Sequence, residues 1–138
     1  MKIHALDSNI ISYILKGYET VTDRYKKNVL QGNKFIIAPI VFYEIQSGLL
    51  AKNMLKRLRI FEEFCRNIQI GEFNFQVWLK AAQIYAALSK QGKPLGTIFD
   101  GDVFIAAYCI INGYTLVTNN KAHFDRIDGL KFENWGAT

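Results

Sequence analysis

Residues 103–111 are the longest unbroken apolar run in the chain, and they lie in a segment, residues 99–112, that reads as one helix. Nine residues are about half of the ~20 that a membrane-spanning helix needs. A helix with almost no polar face must therefore be covered by other parts of its own chain. That requirement demands a layered fold. The 138 residues, half of them apolar, are enough for one domain spanning 1–138 that buries such a helix without disulfides or a structural metal. Charged residues at 21% and only two prolines exclude a disordered chain.

What surrounds the interior helix is an alternating series. Residues 2–6 are a short apolar run closed by Asp7, Ser8 and Asn9, a cluster that ends a strand and caps a helix over 10–16. Gly17 breaks that helix, and a second covers 20–30 before Gly32. A strand over 34–38 precedes Pro39, which suits the first turn of a helix to about residue 52. The next helix, 54–67, places Met54, Leu58, Phe61, Cys65 and Ile68 on one stripe. After a strand at 68–70, Phe75, Trp78, Ala82 and Tyr85 recur at helical spacing, and that helix stops near Gly92. The loop at 93–96 leads to the interior helix, followed by a strand at 115–117, a helical turn at 121–124 and a strand at 130–133. Strands separated by helices predict an α/β fold of three layers, α/β/α, around a mostly parallel, roughly five-stranded sheet. Ligand sites in such sheets lie beyond the C-terminal strand ends, which is where Asp7, Asn119 and Asn120 fall.

Several chemistries find no support in the pattern. Cys65 and Cys109 show no CxxC or Cys/His ligand spacing and read as reduced thiols of a cytoplasmic protein. The carboxylate at residue 7 interrupts any signal-peptide core. His4 alternates within the first strand, and His123 lies in a charged turn; neither has a partner at zinc spacing. There is no GxSxG elbow, Walker loop or GxGxxG sequence. The net charge of +5 favours polyanions, but many small proteins share that excess.

The informative acids are Asp7, Glu44, Asp100 and Asp102, because their neighbours are apolar. Taken singly, each has a plainer use. Asp7 could cap the first helix, Glu44 could pair with a lysine, and Asp100 and Asp102 could complement a helix dipole. Taken as a set they are converging carboxylates, which repel unless a divalent cation holds them. Oxygen-only ligation by Asp, Glu and Asn suits Mg²⁺ or Mn²⁺.

The segments carrying these acids occur in a telling order: Leu6 to Asn9, Tyr43 to Gly48, Phe99 to Ala107, and Leu116 to Asn120, with Phe124, Gly129, Leu130, Asn134 and Trp135 after them. Together they resemble a PIN-domain ribonuclease of the VapC toxin type, over essentially the whole chain. The resemblance implies a metal-dependent endoribonuclease, the toxin of a toxin–antitoxin module, that hydrolyses RNA phosphodiester bonds by metal-activated water. Asp7, Glu44 and Asp102 match the family's acidic metal-site positions; Asp102 precedes Ile105 and Ala106 by the family's spacing. Asp100 matches a further acid found in many relatives and becomes an auxiliary ligand or water-positioning group. Ser8, Thr118 and Asn120 are implied to orient a ligand, water or substrate. Ser8 stands where Thr is frequent, and Asn120 stands where some PIN domains have a fourth Asp. That loss of charge bears on whether two metal ions can be held.

The resemblance also implies partners: an RNA substrate, a VapB-type antitoxin whose C-terminal segment enters a groove, and a homodimer, with no membrane association. Lys52, Lys56, Arg59 and Arg66 are candidates for flanking phosphates, and Arg24, Lys26 and Lys27 for acidic antitoxin residues, against a solvated-face reading of each. Phe61, Phe64, Phe73, Phe75 and Trp78 could stack bases, but their helical spacing favours core or a dimer interface. Two other readings share the architecture. A DNA or flap-type nuclease would need an arch and DNA-binding elements for which the chain is short. A non-catalytic RNA-binding or scaffold domain would not need its three matched carboxylates. A haloacid-type phosphatase needs an Asp where Asn9 stands.

Overall fold

The structure, a computed structural model, describes residues 2–91 and 100–136. Gly92, Gly96, the loop at 93–96 and Phe99 lie outside the described residues, as does the side chain of Asp100. The elements run β1 (Ile3–Leu6), α1 (Ser8–Leu15), α2 (Glu19–Leu30), β2 (Lys34–Ile37), α3 (Pro39–Ala51), α4 (Leu55–Arg66), β3 (Gln69–Ile70), α5 (Phe75–Lys90), α6 (Asp100–Asn112), β4 (Thr115–Thr118), α7 (Lys121–Phe124) and β5 (Phe132–Asn134). The strands form one sheet in the order β3-β2-β1-β4-β5, parallel throughout. This is the five-stranded α/β architecture that the alternation predicts.

Burial explains why the central strands read as continuous apolar runs rather than alternating ones. Ala5, Leu6, Phe35, Ile36, Ile37, Leu116 and Val117 are all buried, because helices cover both faces of the sheet. From β1 the chain moves outward to β2 and β3, then returns to the other side of β1 for β4. The strand order thus reverses between β1 and β4, and a crevice opens there beyond the strand ends. The Asp7 N–H donates to the Val117 carbonyl at 2.9 Å and extends the pairing one residue past β1. Asp7, not Asn9, is the N-cap of α1, so that helix begins at Ser8, two residues earlier than its apolar pattern suggests.

The interior helix is α6: Val103, Ile105, Ala106, Ala107, Tyr108 and Cys109 are buried, and it packs along α5. On α5 the core half of the core-or-interface reading of Phe75 and Trp78 is corrected. Its buried stripe is Val77, Ala81, Ile84 and Leu88, whereas Phe75, Trp78 and Tyr85 are 73%, 51% and 46% exposed. Two stripes of one period run along this helix, and periodicity alone cannot say which faces inward. Trp78 still leans edge-on against Phe104, with ring centroids 5.1 Å apart. On α4, Leu58 and Phe61 are buried as their spacing predicts. Among the described residues no helix is long and apolar enough to cross a membrane.

Candidate active site

Asp7 stands at the mouth of the crevice and is only 3% exposed. Each of its carboxylate oxygens is held. Oδ1 accepts the Ser8 N–H at 2.8 Å, as a helix cap does. Oδ2 accepts the hydroxyl of Thr118 at 2.8 Å. Thr118 is fully buried at the end of β4, and its oxygen accepts the Asn120 N–H at 2.9 Å. Burial pushes the Asp7 carboxyl above the usual carboxylate range, the Thr118 and Ser8 bonds oppose it, and the charge of Asp102 pushes it further.

Glu44 comes from α3, which starts with Pro39 directly after β2. Its side chain is open to solvent on one side, and no hydrogen bond to its carboxylate is present among the described residues. Protein mass on its inner side raises its carboxyl, with the charges of Asp7 and Asp102 adding to the effect. The carboxylate hangs over Gly101 in the first turn of α6. A Cβ at that glycine would lie 3.3 Å from Glu44 Oε1, so the bare backbone there is what lets the carboxylate approach.

Asp102, also in the first turn of α6, is half-buried. Its Oδ2 lies 2.8 Å from Nδ1 of His123 on α7. Burial raises the Asp102 carboxyl, and the His123 hydrogen bond and charge oppose that rise.

The three matched acids therefore converge on one crevice from three elements, and each raises or is raised by another. Among the described residues no three His, Cys, Asp or Glu side chains stand close enough together to hold an ion as they are. The donor set itself suits a hard divalent cation. All donors are carboxylate oxygens, burial has already weakened their hydration, and Glu44 has no hydrogen bond among the described residues to give up.

The remaining sequence candidates fall as follows. Thr118 touches Asp7 directly, so its role is to fix that carboxylate. Ser8 and Asn120 contribute through their backbone N–H groups, to Asp7 and to Thr118. The side chain of Asp100 lies outside the described residues. Lys52, Lys56, Arg59 and Arg66 are exposed, with Arg66 paired to Glu63 at 2.7 Å. Arg24 lies over the Trp135 ring, 5.4 Å from its centroid, while Lys26 and Lys27 are exposed. His123 is the residue that spacing missed. It is 21 positions from Asp102, and only the register of β4 beside β1 shows that the turn after β4 must reach the crevice. One helical turn beyond Ser8, a groove opens between α1, α3 and α4. Ile11, Leu15, Ile45, Leu49 and Ile60 form its apolar lining, and Lys16, Lys56 and Arg57 line it as well.

Comparison with known proteins agrees with this fold. The family model described as PIN domain matches residues 5–130. The chain is 31% identical over 131 residues to the tRNA(fMet)-specific endonuclease VapC of Shigella flexneri, covering 94% of this chain and 96% of that protein. It is 30% identical over 134 residues to Ribonuclease VapC2 of Haemophilus influenzae, covering 96% and 97%. Among solved structures it is similar to VapBC2 from Rickettsia felis bound to a promoter DNA fragment, with a TM-score of 0.87 at 27% identity, covering 96% of this chain and 98% of that one.

Proposed function

The chain belongs to the PIN-domain family, and from that premise we propose that it is the toxin endoribonuclease of a toxin–antitoxin pair, cleaving RNA with Mg²⁺ or Mn²⁺. The observation that carries this reading is the convergence of Asp7, Glu44 and Asp102 beyond the strand ends where the sheet order reverses. It is supported by relatives named as VapC ribonucleases.

The division of labour follows from how each group is held. Asp7, fixed through both oxygens, sets the position of the ion. Glu44, which has no hydrogen bond to its carboxylate among the described residues, would complete the site from above Gly101, and Asp102 would offer Oδ1 while His123 holds Oδ2. When bound, the ion supplies Lewis acidity to the attacking water and to the scissile phosphate. The carboxylates need that positive charge before an RNA phosphate can approach them at all.

Two further surfaces fit the same reading. The groove between α1, α3 and α4, apolar with Lys16, Lys56 and Arg57 along it, suits an amphipathic acidic segment of an antitoxin. The similar structures from Rickettsia felis and Salmonella typhimurium are VapBC bound to DNA. The exposed Phe75, Trp78, Leu79 and Tyr85 on α5 suit a second copy of the chain.

The test is purified protein with total RNA, with and without Mg²⁺ or Mn²⁺, followed by mapping of the cut ends. The expected result is metal-dependent cutting that leaves 5′-phosphate and 3′-hydroxyl ends and disappears in Asp7→Asn. Metal-independent cutting, or cyclic phosphate ends, overturns the proposal.

A further inference from the structure

Resting on the metal-site reading above, we infer that His123 is a positioning residue: it fixes the carboxylate of Asp102, so that one short segment, Thr118 to His123, braces two of the three acids.

The geometry links the two acids through this segment. Thr118 donates to Asp7 Oδ2 at 2.8 Å and accepts the Asn120 N–H at 2.9 Å. The Asn120 carbonyl accepts the His123 N–H at 3.0 Å. His123 Nδ1 then meets Asp102 Oδ2 at 2.8 Å. Fully buried Phe124, the next residue, pins the turn to the core. Asp102 belongs to α6, and this bracket ties it to the strand ends that hold Asp7. Because a carboxylate accepts, Nδ1 is the protonated nitrogen and donates. With Oδ2 engaged, Oδ1 is left for an ion. The contact is sheltered, with side-chain exposures of 30% for His123 and 16% for Asp102, so solvent screens it less than a surface pair. Carboxylate ligands of metal ions are commonly oriented in this way by a donor on the second oxygen.

A packing role is the competing explanation, since the His123 ring also lies 6.4 Å from that of Phe124. The two roles separate by substitution. Asn places its Nδ2 near the position of Nδ1, Leu keeps bulk without a donor, and Ala keeps neither. Mn²⁺ affinity of the full chain is read by electron paramagnetic resonance, with far-UV circular dichroism and metal-free melting as controls on the fold. His123→Ala and His123→Leu are expected to weaken Mn²⁺ binding by ~10- to 100-fold, and His123→Asn by no more than about threefold. Equal Mn²⁺ affinity in all four proteins overturns the inference, as does an Asn variant as weak as Leu. A wild type that binds no Mn²⁺ overturns the metal-site reading itself, and the inference with it. If the Ala variant does not fold, the Asn and Leu pair decides the question.

Discussion

Where the C-terminal end of β1 lies beside β4, Asp7 is almost wholly buried and has a donor on each oxygen. On α3, Glu44 stands partly in solvent with no hydrogen bond to its carboxylate among the described residues. Both carboxyls are raised by burial first and by charge second, yet the protein invests in fixing only one of them. A buried charge left unheld is costly, so Asp7 has to be locked wherever it lies. An exposed carboxylate costs little when loose, and its looseness lets it adapt to a ligand. The site is thus half rigid frame and half movable jaw.

Substitutions can sharpen or break that contrast. The largest effect is expected where the two halves lose the same thing: Asp7→Asn and Glu44→Gln should each lower RNA cleavage by ~10³-fold or more, since each removes a carboxylate from the proposed metal site. Their metal-free stabilities should then diverge, with Asp7→Asn melting a few degrees higher than wild type and Glu44→Gln almost unchanged. Equal melting temperatures would abolish the distinction between frame and jaw. Thr118→Val, which leaves Asp7 Oδ2 and the Asn120 N–H without their partner, should reduce cleavage by ~10- to 100-fold. It should also cost about 1–3 kcal/mol in urea unfolding.

Gly101→Ala probes the jaw alone. The new Cβ would crowd Glu44 Oε1, and cleavage should fall about tenfold with folding intact, because an exposed side chain can swing aside cheaply. Wild-type activity in this variant would show that Glu44 does not need its place above the helix.

The smallest effect is a pH slope. Raised carboxyls bind their protons more tightly folded than unfolded. Their contribution therefore favours the fold on the acid side and is lost as pH climbs from the ordinary carboxylate range, about 4, through the raised folded values. Glu133, where burial is outweighed by hydrogen bonds from Trp135 and Lys2, is held low and tilts the total the other way. The readout is therefore the difference in unfolding free energy between wild type and variant across pH 4–8. Asp7→Asn should remove more of the slope than Glu44→Gln, and saturating Mn²⁺ should flatten it.

Much of this frame is legible in the residues themselves. The three central strands announce themselves as short apolar runs, and Asp7 reads as a strand-end acid because Ser8 and Asn9 follow it. The family spacing selects Asp102 and Glu44, and both reach the crevice. What the residues do not announce is orientation. On α5 the aromatic stripe of Phe75, Trp78 and Tyr85 mimics a core face, because hydrophobic size says nothing about which side of a helix meets the sheet. His123 is invisible for a related reason: its partner is distant in sequence, and only sheet order brings the two together. A pair such as His123 and Asp102 is a product of topology, and topology is not periodic.

The pairing of β4 with β1 also sets when the protein becomes dangerous. A chain still emerging from the ribosome carries Asp7 and Glu44 early, but it lacks the clamp until Thr118 has cleared the exit tunnel and found an acid 111 positions behind it. A partly synthesised chain therefore lacks the donor on Asp7 Oδ2, and the acids cannot be assembled as in the finished fold until nearly the whole polypeptide has been made.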